Sequence, residues 1–283
     1  MPSTRIISFA GSSLALEYAG ETPARIIDTL YCHLPTEPIH SPRLTYRLMA
    51  GEATPTLRLY RQETLLYQGD AAGTAAELLL GDSCYHLATR SREGLLFHAA
   101  GLSWQGQGLI LPGLSGAGKT TLTAWLLTKG FDYLTDELVF IPWQTQNIQP
   151  LTRPLNLKRP ARAALKDQID FVRHAAHILS SDYADLVPVN LFKPLPAPTE
   201  PELRLIIFPY YQSDSPFDLR PLTSAQAGLG LMKNLINARN LPGHGFSEVA
   251  RLTTQGVLAY QMTYANFAQI ERHLDHFIDL LAT

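Results

Sequence analysis

The sequence predicts an α/β fold, and three observations carry that expectation. Short alternating apolar runs are interleaved with helical periodicity, a glycine-rich turn sits between an apolar run and a helical one, and 46% of the 283 residues are hydrophobic. A chain of this length and apolar content can bury a full core, which excludes fibrous and disordered classes and leaves one or two compact domains. Charged residues make up only 17%, and 23 basic against 25 acidic side chains leave a net charge of -2. No basic field exists for non-specific nucleic-acid binding. Lysine is scarce, and the first one along the chain is Lys119.

The first 90 residues read as a small N-terminal α+β domain. MPSTRIISFAGSSLALEYAG carries an apolar patch broken by Gly11, Ser12, Ser13 and Glu17, and is expected to form a strand pair rather than a signal peptide. Alternating runs follow at 14–18, 44–49, 56–60 and 64–67, with helical periodicity at 24–31 and 71–89. Cys32 and Cys84 have neither a metal spacing nor a disulfide framework, a pattern that fits a reducing cytosol and two small buried hydrophobes. No apolar run reaches the roughly 18 residues of a membrane span, so a cytoplasmic protein is expected.

Residues 91–283 read as a second domain. The runs 95–104 and 108–112 flank Gln105, Gly106 and Gln107 and predict an antiparallel hairpin. A helix is expected over 120–127 with Gly130 as its C-terminal cap, then strands at 131–134 and 138–141. The proline-rich stretch 150–201, which includes KPLPAPTEP, is expected to be a loop-rich, mobile or substrate-facing excursion. Beyond it come a buried strand at 203–208 and helices at 224–239, 246–255 and 266–281.

Residues 113–120, GLSGAGKT, match the pattern Gly, four residues, Gly, Lys, Ser or Thr. Gly113, Gly116 and Gly118 permit positive φ and close approach of a polyphosphate. The backbone N–H groups of Leu114, Ser115 and Ala117 then turn inward with theirs as an anion nest. Lys119 supplies a point charge for β- and γ-phosphates, Thr120 a hydroxyl for Mg²⁺, and Thr121 a further N–H at the helix start. The alternative is a glycine-rich turn of no consequence, but an apolar strand before the loop and a helix after it favour phosphate binding. Asp136 and Glu137 interrupt the next apolar strand, where a metal-anchoring carboxylate or general base belongs. A solvated acidic turn is the competing reading. His98 lies inside a strand, where a packed core histidine is the default. Lys158 either reaches a transferring phosphoryl group or simply faces solvent. His174 with His177, and His273 with His276, have helical i, i+3 spacing but no third ligand nearby, and read as solvated or interfacial.

The order FHAAGL, GLSGAGKTT and then a strand with Asp-Glu resembles the catalytic domain of HPr kinase/phosphorylase, whose core is similar to that of phosphoenolpyruvate carboxykinase. The resemblance is strongest to the HPr kinase-related kinase A subgroup. It extends through DTLYCHLP, LFHAAGL, TDELVFI, RPLNLK, FPYY, PLTSAQAGLGLM and GFSEVARL. It implies a P-loop kinase core, with Asp136 as the general base and acid toward a seryl hydroxyl, Glu137 with Asp136 and Thr120 around Mg²⁺, and His98 in the site's charge network. The implied activity is transfer of the γ-phosphoryl of ATP or GTP to a hydroxyl, most naturally a serine of a peptide or protein. Glu137 stands where HPr kinases carry Asp, and their later signature stretch is missing, so the resemblance does not extend to phosphorolysis. Members of that family assemble as homo-oligomers. A nucleotide-gated chaperone or switch, or a small-molecule kinase, are the alternatives.

Overall fold

The computed structural model describes residues 2–34, 42, 44–51, 56–195 and 199–282. Among these residues the protein is a mixed α/β structure with three sheets and eight α-helices. Pro35 of DTLYCHLP and residues 196–198 of KPLPAPTEP lie outside the described residues.

The chain first lays down β1 (Ser3–Phe9), β2 (Ser12–Ala19), α1 (Glu21–Tyr31), β3 (Thr45–Ala50), β4 (Leu57–Arg61), β5 (Thr64–Gly69) and α2 (Ala72–Arg90). There follow β6 (Gly94–Trp104), β7 (Gln107–Pro112), α3 (Lys119–Thr128), β8 (Asp132–Thr135) and β9 (Leu138–Pro142). A segment with β10 (Leu155–Lys158), α4 (Ala161–Ala164), β11 (Leu179–Ser180) and β12 (Ala184–Val187) comes next. The remainder holds β13 (Glu202–Tyr211), β14 (Asp218–Pro221), α5 (Ser224–Asn234), α6 (Phe246–Thr254), β15 (Leu258–Tyr264), α7 (Phe267–Glu271) and α8 (Leu274–Ala282).

Two compact units emerge. The first joins residues 1–91 with 152–191, and the second joins 92–151 with 192–283. Sequence texture predicts a boundary at residue 90, with 152–191 in the second stretch. In the first unit, β1 to β5 form one sheet in sequence order, opening with the expected strand pair, in which Phe9 lies opposite Ser12. The apolar face of α1 buries Ile26, Ile27 and Leu30, and α2 buries Leu79, Leu80 and Leu87.

The stretch expected to be loop-rich contains a small antiparallel sheet, β10-β12-β11. Its strands have two to four residues, too few for a period to register in the sequence. This sheet joins the first unit because α2 passes it closely: a Cβ on Gly73 would run into the Ser180 carbonyl. The Asp185 carboxylate, fully buried, accepts two bonds from Arg162, at 2.5 and 2.7 Å, and one from Ser180 at 2.6 Å.

Burial alone would raise the Asp185 pKa, but the hydrogen bonds from Arg162 and Ser180 outweigh it and hold the carboxyl below its ordinary value. A carboxyl depressed by folding contributes stability above its unfolded pKa and loses it as pH falls through the folded value. Asp185→Asn should therefore cost about 1–3 kcal/mol near neutrality. In thermal melts across pH, the gap from the unsubstituted chain should close below roughly pH 4.

The second unit is organised by one mixed sheet in the order β14-β15-β13-β7-β6-β8, with β9 also paired to β6. The hairpin β6–β7 turns through Gln105 and Gly106, both at positive φ, with Trp104 opposite Gln107. That is the two-residue geometry whose twist matches the flanking strands. The hairpin is only one edge of β7, because its other edge pairs in parallel with β13, which in turn pairs in parallel with β15. Phe97, Ile110, Val139, Ile206, Leu231 and Leu252 share the core that joins this sheet to α5 and α6.

Two helices end earlier than their periodicity suggests. α5 stops at Asn234 because the next residues pair with β6: Ile236 N–H donates to Leu96 O. The buried Asn237 amide also accepts from Leu96 N–H and donates to Gly94 O. The C-terminal helix is divided at 272–273 into α7, capped by the Asn266 side chain, and α8.

Candidate functional site

The glycine-rich loop joins the C-terminal end of β7 to the N-terminus of α3, as its flanking periodicities predict. Gly116 and Gly118 take φ values of +92° and +90°, and Gly118 is the residue from which α3 starts. No side chain caps that end of α3, so its first N–H groups face the loop as an anion-attracting terminus. Leu114, Ser115 and Gly116 are exposed, whereas Gly113, Ala117, Thr120 and Thr121 are half-buried. Lys119 is only 6% exposed, and its Nζ donates to the carbonyls of Gly113 at 2.6 Å and Leu114 at 3.2 Å. The ammonium is thereby folded back under the loop that it would serve.

The far end of α3 is held firmly. Gly130, at φ +100°, donates to Leu127 O and Phe131 donates to Leu126 O, the paired bonds of a glycine C-terminal cap. The Trp125 ring stacks on Phe267 at 5.2 Å between centroids. A rigid helix fixes the position of its first turn.

Strand β6 brings the loop and the acidic pair to one place. Ala99 lies opposite Pro112, the last residue before the loop, and its N–H donates to Glu137 O on the other edge. Gly101 faces Thr135, and His98 faces Leu138. The loop entrance and the Asp136–Glu137 break therefore lie about two strand spacings apart, on the order of 10 Å. Asp136 is 1% exposed, while Glu137 is half-exposed. The solvated acidic turn fails for Asp136. His98 Nε2 stands 3.3 Å from Glu137 Oε1 and forms an ion pair whenever the ring is protonated, so His98 is not merely a packed core residue.

Lys158 is at the exposed end of β10, in the first unit. Among the described residues, no group of three or more His, Cys, Asp or Glu side chains is arranged to hold a metal ion, so neither histidine pair belongs to such a cluster. Among the described residues, no helix is long and apolar enough to cross a membrane.

Two tyrosines border the loop that sequence reasoning did not single out. β13 runs past the loop, and Tyr211 N–H approaches Ala117 O at 3.4 Å. Tyr264, opposite Tyr211 in the register, is buried, with its hydroxyl against Gly118. Burial, and then the neighbouring Tyr211, push the Tyr264 hydroxyl well above its ordinary pKa, so it stays neutral. The available signal was an apolar strand ending in the aromatic pair of FPYY.

At Gly118 an added Cβ would strike the Tyr264 hydroxyl at a backbone angle that side chains seldom adopt. Gly118→Ala should cost about 2–4 kcal/mol. Adding Tyr264→Phe should recover part of that loss in denaturant melts, since it removes the obstructing oxygen.

No protein-family model and no curated protein matches this chain.

Proposed function

We propose that the second unit is a P-loop kinase core of the HPr kinase-like type, a cytoplasmic enzyme that transfers the γ-phosphoryl of ATP or GTP to a seryl hydroxyl of a peptide or protein. The observation that carries this reading is the register of β6, which sets the entrance of a glycine-rich, lysine-bearing loop and a buried carboxylate on its two edges. The three glycines, the uncapped start of α3 and Lys119 together suit a polyphosphate. Thr120 and Glu137 are hard oxygen donors of the kind that Mg²⁺ accepts alongside phosphate oxygens, and three protein carboxylates are not needed.

Thr120 and Glu137 would hold Mg²⁺, which would supply positive charge against the charge that develops on the phosphates. The chain's own groups do the rest. Loop N–H groups hold the phosphates, and Lys119 exchanges its carbonyl partners for phosphate oxygens. Asp136 accepts the hydroxyl proton as the new O–P bond forms and the bond from the γ-phosphorus to the bridging oxygen breaks. The nucleoside diphosphate leaves with that bond's electron pair, and His98 orients Glu137.

The test is incubation of the purified protein with Mg²⁺ and γ-labelled ATP or GTP in the presence of serine-containing peptides and candidate acceptor proteins. Label on serine supports the kinase. Label released only as inorganic phosphate supports the nucleotide-gated switch, and label on a metabolite hydroxyl the small-molecule kinase.

A further inference from the structure

The loop accounts for phosphates but not for the rest of a nucleotide, and β13 supplies a surface beside it. In parallel sheets, ligands bind beyond the C-terminal ends of the strands. β7, β13 and β15 are parallel neighbours, and all three end on the loop's side of the sheet, at Pro112, Tyr211 and Tyr264. β13 continues past the level at which β7 turns into the loop, which carries Tyr211 alongside Ala117 and Gly118.

Tyr211 is 50% exposed, although the strand beneath it is buried. Its ring is not loose. Tyr264 meets it edge-on, with centroids 5.8 Å apart and planes at 69°, and its backbone is tied to Ala117. A half-open aromatic face, held from below and set beside the start of α3, is preorganised for a flat partner.

We propose that Tyr211 is the stacking platform for the base of a purine nucleoside triphosphate whose phosphates occupy the Gly113–Thr120 loop. This inference rests on the phosphate-binding reading of that loop. Stacking area favours the two-ring purines over pyrimidines, and a π-face accepts adenine and guanine alike. Tyr264 acts as a positioning residue: buried and neutral, it fixes both the Tyr211 ring and the space that Gly118 leaves open.

The experiment is calorimetric titration of the protein with Mg²⁺ complexes of ATP, GTP, CTP and inorganic tripolyphosphate. The unsubstituted chain should bind ATP and GTP similarly, and CTP more weakly. Tyr211→Ala should weaken ATP and GTP by about ten- to a hundredfold while leaving tripolyphosphate unchanged. Tyr211→Phe should retain purine binding, and Tyr211→Leu, which keeps apolar packing without a π-face, should behave like Tyr211→Ala. Unchanged ATP affinity in Tyr211→Ala and Tyr211→Leu overturns the platform, and so does an equal loss for ATP and tripolyphosphate, since the residue would then only shape the loop. Failure of the unsubstituted chain to bind either ATP or tripolyphosphate overturns the phosphate-loop reading and this inference with it.

Discussion

Lys119→Met is expected to reduce phosphoryl transfer by about a thousandfold or more, with a large loss of nucleoside triphosphate affinity. The side chain is nearly buried beneath the loop, and its ammonium is already held by the Gly113 and Leu114 carbonyls. Methionine fills a similar space, so the core around α3 survives, but it cannot supply the charge or those two bonds. The loss should therefore appear in binding and turnover, with only a modest change in melting temperature. Steady-state kinetics and calorimetry on the same preparation check both halves. An inactive Lys119→Met protein with unchanged ATP affinity would place the lysine's role wholly in the transition state.

Asp136→Asn carries the second large effect, and it has a different signature. Asparagine nearly matches aspartate in shape but accepts no proton, and a positioned general base contributes roughly 10²- to 10⁴-fold. Transfer to a hydroxyl should fall by that factor while ATP affinity stays within about threefold, because binding rests on the loop and not on the base. Kinetics of the unsubstituted and Asp136→Asn proteins with one acceptor, alongside nucleotide titration, make the comparison. Unchanged biological output with nucleotide binding intact would favour a nucleotide-gated switch over a kinase.

Features set by neighbouring residues were legible in the sequence. The Gln105–Gly106 turn, the Gly130 cap and the strand–loop–helix around Lys119 each follow from local backbone chemistry. The burial of Asp136 was also foreseeable, since apolar runs on both sides leave little room for a solvated turn.

What the sequence concealed depends on partners distant along the chain. α5 is cut short by an Asn237 amide that bonds Gly94 and Leu96, some 140 residues earlier. No local pattern encodes that reach. Residues 152–191, Lys158 among them, fold with the first unit through strands too short to show a period. Tyr211 and Tyr264 reach the loop only because β13 and β15 pair in parallel across the sheet from β7.

The role proposed for the Gly113–Thr120 loop is to hold the β- and γ-phosphates of a nucleotide. Titration of the unsubstituted protein with ATP and with AMP, each in the presence of Mg²⁺, tests it most directly. ATP should bind at least about a hundredfold more tightly than AMP, because the charge-assisted contacts of the loop and Lys119 are made to phosphates that AMP does not have. Equal affinity for the two, or no binding of ATP, would contradict it.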